Sequence, residues 1–518
     1  MSTVIHIVDP AAAGGPIKPV NGVGQPPMVG AMNGWSMLHF LKEAGIPFSR
    51  LHDVGGRLGG GMFVDVPNLF PDFAADETDP ANYRFAYTDS LLLALAENGV
   101  EPFFRLGVTI ENWVQWGLPP LRSVPPPDFA KWARICEHVI RHYTEGWANG
   151  HRLEISHWEI WNEPDSRIAP EENEMWRGTF ADYCRLYEVA SKHLKAAFPH
   201  LKIGGYAGCG VGMAFWKDYS ERGEHHLKCF HEFLRFICEH GCPLDFLSFH
   251  SYSGVEELAQ QIGYVREHLD KAGLAGVETC LDEWLPKPRH DKLGTAQQAA
   301  EIAAALLLFQ NGPLDSAAIY DARCGLGDYS PLFNPLTYQP HKAYWAFVAF
   351  NELRKRGTAV KIRECGAPRS PSRQDEGRAV YAAAARDKGG SLALMLANPG
   401  GEEVPFALGD TGDSKRMMAR GGYAGQSPRI RTWDSKRTTA SGEDSKRTTA
   451  SGEVRTMASG EGNKRTTASG EGRMMARWGE WTMAGECRIT DEKRTWEAVP
   501  LPDALPPHSF LVAFFQDS

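Results

Sequence analysis

The sequence predicts an α/β fold, namely a (β/α)8 TIM barrel with a C-terminal β-sandwich domain. Short apolar segments alternate with amphipathic helical stripes from about residue 16 to residue 356. Two of the apolar segments stop at acidic residues, as expected of strands that end at the catalytic face of a barrel. From residue 357 onward, strand-like segments follow one another without helices between them, which is typical of a sandwich.

Eight strand-like segments account for the barrel, and each is followed by a helical stripe with apolar residues at steps of three and four. A doubly wound open sheet would need a Gly-rich phosphate turn after its first strand, whereas the Gly-rich segment 59–61 follows the second strand. A dinucleotide site is therefore not predicted. The predicted strands are the region of Gly22 and the segments 48–53, 101–107, 156–163, 201–206, 245–252, 277–284 and 316–321.

The domain boundaries follow from the change in pattern near residue 357. We assign 16–356 to the catalytic barrel and 1–15 plus 357–518 to the sandwich, because the apolar run 4–8 has no helix partner. The octapeptide Lys-Arg-Thr-Thr-Ala-Ser-Gly-Glu begins at Lys436, Lys446 and Lys464. These repeats carry too few apolar side chains to bury a core, so about 413–477 is interpreted as a low-complexity insertion.

Composition narrows the functional class. A net charge of −9 argues against a nucleic-acid surface, which would need a basic face. The N-terminal segment lacks the pattern of a signal peptide, and no apolar run reaches the length of a membrane span, so a cytoplasmic protein is expected. Ten cysteines without Cys-x-x-Cys spacing are expected to be reduced core residues.

Two acidic residues carry the functional prediction. Glu163 ends the predicted fourth strand and Glu283 ends the seventh, so both project at one mouth of the barrel. Paired carboxyl groups can cleave a glycosidic bond when one is a protonated acid and the other an ionised nucleophile or base. Asp282 is a rival nucleophile, because strand alternation allows only one of Asp282 and Glu283 to face the lumen. The residue pattern does not choose between them.

Three further polar residues are predicted to serve this pair. Asn162 adjoins the proposed acid and is placed to hydrogen-bond a sugar hydroxyl. Arg50 is expected to lie beside Glu283 and favour its ionised form, since a nearby cation lowers the pKa of a carboxyl group. Tyr252 is expected to donate a hydrogen bond to the same carboxylate.

Histidines and tryptophans near strand ends complete the predicted substrate-binding set. His52 and His250 are candidates for contacts with sugar hydroxyls, with a core role as the alternative for each. Trp113, Trp161 and Trp284 are candidates for an apolar face against a sugar ring. Core packing is the alternative for each of them and the favoured interpretation of Trp161.

No metal site or cofactor is predicted. His225, His226, Cys229 and His231 cluster in sequence, but they fall on an amphipathic helix and are interpreted as ordinary helix residues. A metal-dependent hydrolase is disfavoured, because the predicted strand ends lack a convergent set of His and Asp.

Five short motifs stand at or near the predicted strand ends: Trp-Asn-Glu-Pro at 161–164, Glu-Trp at 283–284, Arg-x-His at 50–52, Phe-His-Ser-Tyr at 249–252 and Leu-Phe-Asn-Pro-Leu at 332–336. Together they resemble clan A glycoside hydrolases and, within them, family 39, which includes β-xylosidases and α-L-iduronidases. The resemblance covers about residues 22–353 and implies retention of configuration, with Glu163 as acid/base and Glu283, rather than Asp282, as nucleophile. It departs from the family at the repeat insertion and in the loop at 55–80.

The resemblance implies a retaining, β-xylosidase-like glycoside hydrolase that works by double displacement without a cofactor. Its expected partner is a glycoside or oligosaccharide, with no nucleic acid and no membrane, and self-association into a homo-oligomer is compatible with the sequence. The alternatives are an endo-acting or α-L-iduronidase-like glycosidase and a catalytically inactive carbohydrate-binding barrel.

Overall fold

A computed structural model of the chain describes residues 3–7, 14–27, 37–54, 64–110, 122–215, 220–325, 327–365, 380–409, 504–505 and 507–515. Trp113 and the predicted insertion at 413–477 lie outside these residues. The strands are β1 Thr3–Ile7, β2 Gly22–Gly24, β3 Phe48–Leu51, β4 Glu101–Leu106, β5 His157–Ile160, β6 Lys202–Gly208, β7 Phe246–Ser251, β8 Glu278–Trp284, β9 Ser316–Ile319, β10 Thr358–Val360, β11 Ile362–Cys365, β12 Tyr381–Arg386, β13 Leu392–Asn398, β14 Val404–Gly409, β15 Ala504–Leu505 and β16 Ser509–Phe515.

Helices separate most of the early strands. The α-helices are α1 Leu38–Glu43, α2 Val66–Leu69, α3 Ala86–Glu97, α4 Phe129–Thr144, α5 Phe180–Ala197, α6 Glu221–His240, α7 Val255–Lys271, α8 Ala296–Asn311 and α9 Tyr344–Arg356. Short 3-10 helices lie at Pro80–Asn82, Trp147–Asn149, Pro170–Glu172, Gly212–Ala214 and His290–Lys292. Among the described helices, none has the length and apolar character needed to cross a membrane.

Strands β2 to β9 close into a parallel barrel in chain order. The predicted barrel and the order of its eight strands are thereby confirmed. Parallel strands joined by helices point their carboxyl ends to one face, so the residues that follow β3, β5, β7 and β8 gather at a single mouth.

Side-chain caps start several of the helices around the barrel, including α4 and α5. Asp128 accepts a hydrogen bond from the Lys131 backbone N–H at 3.0 Å and starts α4. Thr179 and Asp182 form a reciprocal capping box at the start of α5. Because these caps satisfy N–H groups that lack partners within the helix, they set where each buried stripe begins.

Helix α8 is buried on nearly all sides and explains the apolar run at 302–309. One side contacts the barrel, where Phe309 packs edge-on against Trp284 with ring centroids 4.8 Å apart. Another side meets the C-terminal sheet, and the Asn311 amide donates to the Ala382 carbonyl at 2.7 Å. The helix therefore joins the barrel and the sheet into one packed core.

Two four-stranded sheets lie outside the barrel, with the strand orders β11-β1-β14-β15 and β10-β12-β13-β16. Side chains alternate along β12 and β13. Ala382 and Leu394 face a core shared by the two sheets, whereas Ala383 and Met395 belong to the core that includes the barrel helices. Strand β1 pairs with β11 and β14, so the N-terminal run contributes to the sandwich. Strands β10, β11, β14 and β15 were not predicted from the pattern.

Candidate active site

A strained turn places Glu163 at the barrel mouth. Strand β5 ends at Ile160, three residues earlier than predicted, because Trp161 and Glu163 adopt positive φ angles of 73° and 41°. Such backbone costs on the order of 1–3 kcal/mol per residue and persists only where neighbours hold it. The Trp161 N–H donates to the Leu106 carbonyl at 2.7 Å, and the Glu163 N–H donates to the Ala207 carbonyl at 2.9 Å. Neighbouring strands thus fix the turn.

A register irregularity in β8 brings both Asp282 and Glu283 to the lumen. His250 pairs with Glu283 and Phe249 pairs with Leu281, so Asp282 is the extra residue of a bulge. A bulge interrupts the alternation of side chains. Both acidic side chains consequently approach Arg50, at 2.6 Å for Asp282 and 2.8 Å for Glu283. The prediction that only one of them can face the lumen was wrong.

Glu283 is held by two donors. Arg50 Nη1 donates to Oε1 at 2.8 Å, and the Tyr252 hydroxyl donates to Oε2 at 2.6 Å. These are the contacts predicted for Arg50 and Tyr252. The Glu283 side chain is only 6% exposed, so both donors act in a region with little water.

Glu163 has a single charged donor among the described residues. His250 Nδ1 lies 2.8 Å from Glu163 Oε1 and 3.5 Å from Glu283 Oε2. One ligand atom from each of these three residues lies within 4.8 Å of the other two. The structure thus brings the two predicted catalytic carboxyl groups face to face, with the His250 ring beside both.

The pKa values of the two acids differ. Burial raises the pKa of Glu283 to about 7, with His250 and Arg50 opposing the rise and Glu163 adding to it. Burial also acts on Glu163, but the hydrogen bond and charge of His250 hold the pKa of Glu163 below its ordinary value. Because the groups are so close, they titrate as a pair that holds one proton near neutral pH.

Arg50 organises a buried network beneath this pair. It contacts Glu159 Oε2 at 2.8 Å and donates to Asn162 Oδ1 at 2.5 Å. Burial raises the pKa of Glu159 to about 8, against the effect of Arg50, whereas Arg50 and His250 outweigh burial and lower the pKa of Asp282. Glu159 is therefore the more easily protonated of these two buried acids, and Asp282 the more readily ionised. Glu159 was not identified from the sequence, because an acid inside a strand carries no visible signal.

His52 also lies in the lumen. Its Nε2 is 3.4 Å from Asp53 Oδ1 and 3.9 Å from Glu283 Oε1. Burial and the charges of Arg105 and Arg50 lower the pKa of His52 well below its ordinary value. A neutral ring with a buried Nδ1 that has no partner among the described residues can hydrogen-bond a substrate hydroxyl.

Aromatic residues missed in the sequence line the mouth near Tyr252. Tyr329 meets Tyr252 edge-on at 5.1 Å and is itself 41% exposed. Tyr320 packs 5.8 Å from Tyr329 and donates to Asp53 Oδ2 at 3.0 Å. Tyr329 stands in a loop after β9, where sequence pattern gives no indication of side-chain direction.

The predicted tryptophans do not join this cluster. Trp284 is fully buried against Phe309, so it offers no surface to a ligand. Trp161 is buried as well, donates to the Met175 carbonyl at 2.8 Å and packs on Trp176, which agrees with the core role favoured for it. Trp113 lies outside the described residues.

The histidines that cluster in sequence point to different neighbours. His225 contacts Cys229 Sγ at 3.6 Å, whereas His231 contacts the Tyr264 hydroxyl at 2.9 Å. His226 instead lies with Asp165 and Cys209, with one potential ligand atom from each within 4.8 Å of the others. The predicted helix is present, and one of its histidines approaches the active site.

Sequence comparison finds similarity to glycoside hydrolases. The model of the family "Glycosyl hydrolases family 39" matches residues 62–280. A β-xylosidase of Geobacillus stearothermophilus is 25% identical over 225 residues, which is 41% of this chain and 39% of that relative. A β-xylosidase of Caldicellulosiruptor saccharolyticus is 25% identical over 177 residues, or 33% of this chain and 31% of that relative. The matched part therefore spans less than half of either relative.

Solved structures show the same fold. A glucosidase from Croceicoccus marinus superimposes with a TM-score of 0.59 at 21% identity, covering 79% of this chain and 80% of that chain. A family 39 β-xylosidase from Caulobacter crescentus superimposes with a TM-score of 0.58 at 17% identity, covering 99% of both chains.

Proposed function

We propose that this chain, which is glycosyl hydrolase family 39-like, is a retaining glycoside hydrolase that acts on β-xylosides. The observation that carries the proposal is the pair Glu163 and Glu283, with carboxyl oxygens within 4.8 Å of each other. Retaining enzymes separate their carboxyl groups by about 5–5.5 Å, whereas inverting enzymes need about 6.5–9.5 Å to admit a water molecule. The similarity to β-xylosidases supports the choice of sugar.

In the first step Glu163 donates its proton to the glycosidic oxygen while a Glu283 oxygen attacks the anomeric carbon. The bond to the leaving group breaks and a glycosyl-enzyme ester forms. In the second step Glu163, now ionised, accepts a proton from the attacking water, and Glu283 leaves as a carboxylate. The two steps together consume one water molecule, return both carboxyl groups to their starting states and use no cofactor.

This assignment requires the shared proton on Glu163 in the substrate complex, although the substrate-free pKa values favour Glu283. Glu163 is 19% exposed. A bound sugar would cover that surface and raise the pKa of Glu163 by desolvation. Positive charge at the anomeric carbon would meanwhile favour ionised Glu283, which already accepts bonds from Arg50 and Tyr252. Substrate binding therefore moves the proton toward the acid.

The other lumen residues are assigned to substrate binding. Asn162, His52 and His250 present amide and imidazole groups beside the carboxylates, and Tyr329 offers an exposed aromatic face. Asp282 is fully buried beneath this layer, which argues for a role in holding Arg50 rather than in attack.

We further propose that 16–356 is the catalytic unit and that 1–15 with 357–518 is an accessory sandwich. The bridge between Pro16 and Thr358 supports a boundary at these points. A cytoplasmic location is proposed as well, because the eight cysteines whose side chains the structure describes are all free.

The proposal is tested with aryl glycosides and NMR of the first-formed sugar. We expect hydrolysis of an aryl β-D-xyloside with β-xylose as the initial product. Initial α-xylose would contradict retention, and hydrolysis of an aryl α-L-iduronide instead of the xyloside would contradict the sugar. Activity on xylo-oligosaccharides but not on the monosaccharide derivative would favour an endo-acting enzyme. Calorimetric binding without turnover would favour an inactive barrel.

A further inference from the structure

Three potential metal ligands converge beside Glu163 from three separate elements. Asp165 lies in the turn after β5, Cys209 follows β6, and His226 projects from α6. One ligand atom from each lies within 4.8 Å of the other two. The Cys209 backbone N–H bonds both Asp165 oxygens, at 3.1 and 3.2 Å, which fixes the relative position of these two residues.

The His226 ring is prepared to act as a ligand. Its Nε2 is buried and has no hydrogen-bond partner among the described residues. The backbone of Ser166 hydrogen-bonds the ring, and burial together with Arg222 lowers the pKa of His226 to about 4. A buried nitrogen with a free lone pair is uncommon unless something occupies the space in front of it.

Two carboxyl groups at the cluster supply the negative charge that a bound cation needs. Asp165 and Glu163 are neighbouring carboxyl groups, and burial with the charge of Glu163 raises the pKa of Asp165 to about 7. Two cations also lie there: His250, whose Nδ1 is 2.8 Å from Glu163 Oε1, and Arg222, whose exposed side chain donates from Nε to the Ser166 carbonyl at 3.1 Å. A divalent ion would allow Asp165 and Cys209 to ionise together.

The two other groups of potential metal ligands among the described residues already use their ligand atoms in hydrogen bonds. His142 Nε2 and the Tyr143 hydroxyl both bond Asp89 Oδ1 at 3.0 Å, so that carboxylate has its partners. The set formed by Glu163, His250 and Glu283 is the active site, where His250 Nδ1 bonds Glu163. Only the cluster around His226 combines a thiol with a buried, unpartnered imidazole nitrogen among the described residues.

We propose that Asp165, Cys209 and His226 bind a zinc-class divalent ion and that this ion inhibits hydrolysis by taking Glu163 as its fourth ligand. A thiolate, an imidazole and a carboxylate select zinc-like ions over calcium or magnesium, and such sites are four-coordinate. The Cys209 thiol lies near enough to Glu163 to help lower the pKa of that carboxyl group. Binding releases the thiol proton, and the Asp165 proton when present, to water. No redox step is involved.

The site is tested without relying on activity. Co²⁺ is added to the EDTA-dialysed full chain, and the thiolate-to-cobalt absorption band is recorded. We expect one ion per chain and a band that is lost in Cys209→Ser. In His226→Gln the affinity should fall at least about 10-fold, the lower bound for groups that merely orient a ligand. Matched controls are His225→Gln and Cys238→Ser, which change a histidine and an exposed thiol of the same helix and should keep the band.

Inhibition of hydrolysis by the bound ion rests on the proposed function, and it is measured separately from metal binding. Zn²⁺ is titrated against xyloside hydrolysis, with each variant compared with its own metal-free rate. The wild type should be inhibited, and His226→Gln should need at least about 10-fold more Zn²⁺. Absence of the cobalt band in the wild type, or an unchanged affinity in His226→Gln, would overturn the site. A band without inhibition would overturn the inhibitory role, whereas a band in a chain that hydrolyses no glycoside would uphold the site and refute the proposed function.

Discussion

Glu283 and Glu163 lie within 4.8 Å of each other but in contrasting surroundings. Glu283 sits on a bulged strand, is 6% exposed and accepts bonds from Arg50 and Tyr252. Glu163 sits on a strained turn, is 19% exposed and has His250 as its charged partner. A nucleophile needs a fixed position, whereas an acid/base needs access to protons. The two environments therefore support the different roles proposed for these two glutamates.

The largest expected effect comes from removing the negative charge of Glu283. Glu283→Gln keeps the shape and should lower kcat on an aryl xyloside at least about 10⁴-fold, because the covalent step is lost. Glu278→Gln is the matched control, since it makes the same change at the opposite end of β8. It should stay within a few-fold of wild type. A similar loss in both variants would show that the effect is structural.

Removing the exposed carboxyl group should give an effect that depends on the leaving group. Glu163→Ala should slow hydrolysis of xylosides with poor leaving groups by about 10²–10⁴-fold, while activated aryl xylosides retain more activity. Azide should restore turnover and yield a β-xylosyl azide. Glu171→Ala, in the exposed 3-10 helix nearby, is the control. Equal losses on all substrates would contradict the acid/base role.

Removing one hydrogen-bond donor to Glu283 should lower kcat less than removing either carboxyl group. Tyr252→Phe removes the 2.6 Å bond and should lower kcat about 10- to 100-fold, the usual effect of a bond to a charged group. Because this bond lowers the pKa of Glu283, its loss should also move the basic limb of the pH profile to higher pH. Tyr264→Phe, on α7, should change neither quantity. An unchanged profile in Tyr252→Phe would argue against its contact with the nucleophile.

The smallest expected effect concerns the pH dependence of the wild-type activity, which reflects the different pKa values of Glu163 and Glu283. The pair must hold one proton, so kcat/KM should fall as pH rises through about 7, the pKa of Glu283, when that proton is lost. On the acid side activity should persist below the ordinary pKa of a glutamate, because His250 holds the pKa of Glu163 down. Activity that stays flat to high pH would contradict a shared proton.

The barrel was predictable because its signals are local. Each strand from β2 to β9 is a short apolar run next to a helical stripe, and the strand count alone placed Glu163 and Glu283 at one mouth. The contacts of Arg50 and Tyr252 followed from the same count.

What escaped prediction depends on geometry that the pattern does not encode. The bulge at Asp282 adds one residue to β8. It interrupts the alternation of side chains from which we predicted that Asp282 and Glu283 face opposite sides of the strand. Glu159 was missed because only the lumen packing reveals that it meets Arg50. Trp284 was assigned to substrate although α8 covers it, because burial by a later helix is a long-range effect.

The most direct test of the central claim is a mechanism-based label. A 2-fluoro xyloside with a good leaving group should form a stable ester, and mass spectrometry of the digested chain should find the sugar on Glu283. A label on Asp282 or Glu163, or steady hydrolysis without any trapped ester, would contradict the assignment of Glu283 as the nucleophile.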